Sequence, residues 1–199
     1  MIIRIIALLV ILIVIIIFGI TYTIKQAQKS PFNSPANFLG ESEQDNDQKT
    51  IVCVGASITH GQVSYNYVNI LSDRFGHDDY QFVNAGINGN LAYNVVKRLD
   101  EIIKCDPDYV TVLIGTNDAN ASLSEKNSSR YMNDMALPEK PNAGFFRRNI
   151  KELIFQLKKQ TNAKIAILSL PPIGEEIKHI AWQRTKEYSD IIKGKAEAD

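Results

Sequence analysis

Four short β-rich apolar runs punctuate the chain: Thr50–Gly55, Tyr80–Asn84, Tyr109–Ile114 and Lys164–Leu170. Between them lie segments with apolar residues at helical spacing. One spans 65–75, with Val68, Ile70, Leu71 and Phe75 on one side; a second spans 91–103, repeating Val95, Val96, Leu99, Ile102 and Ile103. A third covers 145–157, repeating Phe146, Ile150, Leu153, Ile154 and Leu157 with charges opposite, and a fourth covers 181–196. Strands that alternate with amphipathic helices predict an α/β domain with a parallel sheet covered on both faces. Ligands in such folds gather at the carboxyl ends of the strands.

The first two dozen residues obey a different rule. From Ile5 to Ile20 there is no polar side chain. With the extension to Ile24, roughly 20 residues at about 1.5 Å each reach across a hydrocarbon core of about 30 Å. A buried soluble helix rarely stays apolar on every face. A cleaved signal peptide has a shorter apolar core and a small-residue cleavage site, and no such site follows here. Residues 1–24 are therefore expected to be an uncleaved transmembrane helix that serves as a membrane anchor. Arg4 stands on one side and Lys25 and Lys29 on the other, so charge nearly ties; the body is placed outside the cytoplasm. Residues 25–49, with Pro31, Pro35 and an acidic stretch at 41–47, read as a polar, flexible linker. Residues 50–199 form one domain of ordinary size. The formal net charge of +0 argues against a nucleic-acid partner.

Three strand-end blocks carry the chemistry. After the first run comes Gly55-Ala56-Ser57-Ile58-Thr59-His60-Gly61. A serine between strand and helix is placed for nucleophilic attack, though serine also commonly caps helices. The block is neither a P-loop, since Gln62 follows Gly61, nor a G-x-S-x-G elbow, since Thr59 takes the last place. After the second run comes Asn84-Ala85-Gly86-Ile87-Asn88-Gly89-Asn90. Gly86 can bring a bare backbone N–H to a substrate oxygen, while Gly89 eases the turn. After the third comes Gly115-Thr116-Asn117-Asp118, where Asn117 can donate its amide to an oxyanion or simply serve a turn.

Taken together and in order, G-x-S-x-T, N-x-G and G-x-N-D resemble the SGNH (GDSL-type) hydrolase family, from about Ile51 to Leu170, with Pro171-Pro172 in keeping with it. The resemblance implies a flavodoxin-like three-layer α/β/α fold and a serine esterase without cofactor or metal. It implies Ser57 as the catalytic nucleophile, with the Ser57 N–H, the Gly86 N–H and the Asn117 side chain as oxyanion donors. The implied partner is a small-molecule, carbohydrate or lipid ester substrate. A weaker analogy, to flavin or nucleotide binders of similar shape, rests on the fold alone.

Two departures stand against that pattern. Ala56 occupies a position more often held by Asp. More seriously, the family's general base is a histidine in a D-x-x-H block near the C-terminus, and none of the three histidines, His60, His77 and His179, lies in one. No general base is found in this chain. Residues 178–199 look like the helix that feeds a fifth strand, so either a longer native chain or a binding module that has lost its base is expected. The polar stretch 119–144 reads as a substrate-facing lid or a surface loop. Asn120 and Asn127 begin glycosylation sequons, and Cys53 and Cys105 are expected to remain unbridged.

Overall fold

The computed structural model describes residues 11–19, 21, 30–40, 47–62, 64–76 and 79–196. The chain divides into two compact units, residues 1–30 and 31–199. In the first unit, residues 11–19 are helical and Ile11 to Phe18 are exposed, apolar side chains. Among the described residues no helix is long and apolar enough to cross a membrane. The anchor expected over 1–24 falls largely outside the described residues.

The second unit is built on four parallel strands, β1 (Lys49–Gly55), β2 (Tyr80–Gly86), β3 (Tyr109–Leu113) and β4 (Lys164–Ile167), in the order β2-β1-β3-β4. In chain order the helices are α1 (Pro35–Gly40), α2 (Ser57–His60), α3 (Tyr67–Phe75), α4 (Ala92–Lys97), α5 (Leu99–Lys104), α6 (Thr116–Ala121), α7 (Glu125–Asp134), α8 (Ala143–Gln160) and α9 (Ile180–Ala196). Side chains alternate across a strand, and so do their environments. Val52 and Val54, Val83 and Ala85, and Val110 and Val112 form one buried core with Val95, Ile102, Ile150, Leu153, Leu157 and Tyr188 from the helices. Cys53 and Phe82 point the other way and meet Val68 of α3. Helices therefore lie on both faces of a parallel sheet.

Three local differences from the sequence reading have physical causes. The helix expected as one piece over 91–103 breaks at Arg98 (φ −115°, ψ 21°), whose side chain reaches inward to the strand ends. The polar stretch 119–144 contains α7, with Ser124 accepting a hydrogen bond from the Asn127 N–H as its N-terminal cap. Within the expected linker, residues 31–40 are folded onto the domain. The Asn84 N–H donates to Asn33 O at 2.8 Å, and Asn33 Nδ2 donates to Phe82 O at 3.0 Å, along the otherwise open edge of β2. Phe38 of α1 joins the main core. Backbone groups on a sheet edge need partners, and this segment supplies them.

Candidate active site

The strand register brings the three sequence blocks level. Gly55 is paired with Gly86 on one side and with Leu113 on the other, so the loops after β1, β2 and β3 leave the sheet together. Ser57 is the first residue of α2 and is half-buried. Among the described residues, neither its N–H nor its Oγ has a hydrogen-bond partner. Both are thus available to a ligand.

The second block holds α2 in place. A Cβ on Gly86 would lie 2.2 Å from the His60 backbone nitrogen, so only glycine lets α2 approach β2 this closely. Buried Asn84 donates from Nδ2 to Thr59 O at 2.9 Å, and its Oδ1 accepts the Gly86 N–H at 3.0 Å. That last bond occupies the Gly86 N–H, which was expected to face a substrate oxygen. Asn84 is itself fixed by its other bond to α2. In the same loop Gly89, at φ +80°, carries an N–H with no backbone partner among the described residues. The sequence signal was there, as a glycine in a turn, but only the bond from Gly86 to Asn84 separates the two glycines.

Arg98 fastens the first two blocks together. Its Nη2 donates to Ala85 O at 2.7 Å and to Gly55 O at 3.3 Å, and its Nε donates to Asn90 Oδ1 at 2.9 Å. Nη1 pairs with Glu101 at 2.8 Å. Burial pulls the guanidinium below its ordinary pKa, but the acceptors around it keep the charge satisfied. Nothing in the linear pattern marked this residue, because its partners are main-chain carbonyls.

In the third block Asn117 is the second residue of α6. Its Nδ2 donates to Asn90 O at 3.0 Å, and its Oδ1 accepts from the Tyr131 hydroxyl at 3.0 Å. An amide nitrogen carries two hydrogens, so one remains for a ligand. The neighbouring Asp118 is buried and accepts the Ala92 N–H at 3.1 Å, tying α6 to the start of α4. Burial pushes its carboxyl up to about 7, against the lowering effect of that backbone bond.

Among the described residues, no histidine makes a hydrogen bond to Ser57. His60 ends α2 and is buried, with its N–H donating to Ala56 O at 2.9 Å. His179 is exposed, and its Nδ1 accepts the Ala181 N–H at 3.2 Å at the start of α9. His77 lies outside the described residues. Cys53 and Cys105 are both free and buried, and burial pushes the Cys105 thiol up to about 12. Both sequon asparagines are engaged: Asn120 Nδ2 donates to Tyr131 Oη at 3.3 Å and Asn127 Nδ2 donates to Asn120 O at 3.0 Å. Among the described residues no cluster of three or more His, Cys, Asp or Glu could hold a metal ion.

Ser57 thus stands at a strand-to-helix turn, flanked by unpaired donors from the two neighbouring loops. Residues 53–199 match the GDSL-like Lipase/Acylhydrolase family, and the chain belongs to that family, an ester-hydrolysing one. Solved structures agree on the fold. The acetylxylan esterase Axe2 from Geobacillus stearothermophilus is 18% identical, with TM-score 0.62 over 75% of this chain and 72% of that one. The acetyl xylan esterase AlAXEase is 25% identical, with TM-score 0.63 over 75% and 73% of the two chains. LAE5, an alpha/beta hydrolase from the metagenome of Lake Arreo, is 21% identical, with TM-score 0.59 and coverage of 75% and 73%. The catalytic mutants of Axe2 replace a serine, an aspartate and a histidine. A comparison with curated proteins matches none.

Proposed function

We propose that this protein is a membrane-anchored serine esterase that removes an acyl or acetyl group from an ester, with Ser57 as nucleophile. The Ser57 N–H, the Gly89 N–H and the remaining Asn117 Nδ2 hydrogen are the oxyanion donors. The observation that carries this reading is the set of unpaired donors on adjacent loops beside an unpaired serine hydroxyl. The likeness to two acetylxylan esterases supports an acetylated carbohydrate as substrate.

Ser57 Oγ attacks the ester carbonyl carbon and gives up its proton to a base. The carbonyl oxygen takes the negative charge and settles against the three donors. Collapse expels the alcohol, and water then hydrolyses the acyl-enzyme. Preorganised donors are the main source of rate in such a site, each worth about 10²–10³. No residue of this chain is assigned as that base; the family resemblance implies a histidine of a D-x-x-H block. Residues 1–24 hold the domain to the membrane, with the body outside the cytoplasm.

A second reading is favoured by the same unpaired Ser57 Oγ: a scaffold that binds an ester without turning it over. A fluorophosphonate probe and p-nitrophenyl acetate separate the two, since rapid labelling needs an activated serine. The esterase reading expects labelling and hydrolysis that vanish in Ser57→Ala. Equal rates in wild type and variant would overturn it. Deleting residues 1–24 is expected to move the protein from the membrane pellet to the supernatant.

A further inference from the structure

The stretch after the third block was expected to be a lid or a plain loop, and instead it delivers one hydroxyl to Asn117. Tyr131 lies on α7, is buried, and packs in a satellite cluster with Leu91, Ala121, Leu137 and Phe145. Its hydroxyl donates to Asn117 Oδ1 at 3.0 Å and accepts from Asn120 Nδ2 at 3.3 Å. Asn120 is held in turn by Asn127 Nδ2, through its main-chain oxygen at 3.0 Å and its side-chain oxygen at 3.1 Å. The Asn127 N–H donates in turn to Ser124 Oγ at 3.1 Å. A continuous relay therefore runs from the start of α7 to the active-site asparagine.

We propose that Tyr131 is a positioning residue for the oxyanion site, setting which way the Asn117 amide faces. A primary amide has an acceptor end and a donor end of nearly the same shape, so it can flip unless its partners distinguish them. Asn90 O accepts only and so demands the nitrogen. The Tyr131 hydroxyl has its acceptor side taken by Asn120, so it offers Asn117 a hydrogen and demands the oxygen. The two contacts together fix both the orientation and the direction of the remaining N–H. Donation into Oδ1 also draws charge from the amide nitrogen and makes that N–H a stronger donor, as hydrogen-bonded chains polarise one another. Without the hydroxyl, the ring still fills its place among Leu91, Leu137 and Phe145, but the amide is free to rotate or flip.

The inference rests on the serine esterase reading for its consequence in rate, but not for its geometry, and the experiment is divided accordingly. In the full chain, Tyr131→Phe is compared with wild type, Asn117→Ala and the double variant, using p-nitrophenyl acetate. The expected result is a fall in kcat of about tenfold for Tyr131→Phe with KM unchanged, the loss of one strengthened hydrogen bond in the transition state. The double variant is expected to be no slower than Asn117→Ala alone, because Tyr131 acts only through that amide. The second readout needs no turnover. In the wild type the two Asn117 side-chain amide protons give distinct, exchange-protected NMR signals, and in Tyr131→Phe they shift and lose protection.

Unchanged amide signals in Tyr131→Phe would overturn the positioning role, as would rate losses that multiply in the double variant. Ser57→Ala reacting like wild type would instead overturn the esterase reading and leave the amide measurement to decide Tyr131. Asn120→Ala supplies a second variant that leaves the Tyr131 ring in place. It is expected to weaken the Asn117 signals' protection in the same direction, and no change there also counts against the relay.

Discussion

The two halves of the crevice are held by different physics. The half formed after β1 and β2 is fixed by close packing and by main-chain acceptors: Gly86 against His60, Asn84 across to Thr59, and Arg98 on the carbonyls of Gly55 and Ala85. The half formed after β3 is fixed by side chains reaching one another: Tyr131 to Asn117, Asn117 to Asn90 O, and Asp118 to the Ala92 N–H. The first arrangement has little room to relax, since backbone atoms cannot move away without bending a strand. The second can lose a hydroxyl and keep its fold. Rigidity is thus placed around Ser57, and adjustability around the Asn117 amide. The two are joined at Asn90, whose Oδ1 accepts from Arg98 while its main-chain oxygen accepts from Asn117.

The comparison can be broken from the rigid side first. Gly86→Ala drives a methyl into a backbone nitrogen 2.2 Å away. We expect a loss of about 3 kcal/mol of stability, read from the urea midpoint, with labelling of Ser57 lost alongside. A variant that unfolded at the wild-type midpoint would show that α2 can back away freely. Arg98→Met keeps the apolar stem but leaves Gly55 O, Ala85 O, Asn90 Oδ1 and Glu101 without their donor, and should cost about 2–3 kcal/mol.

The side-chain half should respond less, and partly through pH. Asp118 has a pKa raised to about 7 in the folded protein, so between the ordinary carboxylate range and that value the folded chain holds a proton the unfolded chain has lost. Its stabilising contribution is complete at low pH and is lost as pH rises through about 7. Asp118→Asn keeps an acceptor for the Ala92 N–H and removes the titration. It should flatten the fall in melting temperature between pH 5 and pH 8, by the equivalent of about 1–2 kcal/mol. A slope unchanged in the variant would assign the pH dependence elsewhere. Smallest of all, Tyr131→Phe should cost about 1 kcal/mol in stability, one buried hydrogen bond, while its effect on rate is larger.

Much of this site was legible in the linear pattern, and the misses share a cause. Ser57 and Asn117 were singled out because their positions, directly after apolar strands, restrict what a polar residue there can do. The helices over 145–157 and 181–196 were found because the apolar period survives burial on one side, and the strands because their runs are short and bounded by turns. Gly86 was chosen over Gly89 because two glycines stand in one turn and the sequence cannot say which amide is already taken. Arg98 and Tyr131 went unnoticed because each acts on a partner remote in sequence: Gly55 O lies 43 residues from Arg98, and Asn117 lies 14 from Tyr131. Residues 31–40 were read as linker because proline and polar residues dominate them, and composition does not register an open strand edge waiting for a partner.

Read alone, the linear pattern is enough for the class of fold and for choosing Ser57 as the candidate nucleophile. Both follow from local rules: the period of apolar residues, and the chemistry a polar block must have at a strand end. Which donors are left unclaimed at the strand ends is a matter of tertiary contacts. A backbone N–H or an amide becomes an oxyanion donor only when no protein acceptor claims it. That depends on contacts such as the Asn84 oxygen on the Gly86 N–H and the Tyr131 hydroxyl on Asn117, which exist only once distant segments have met.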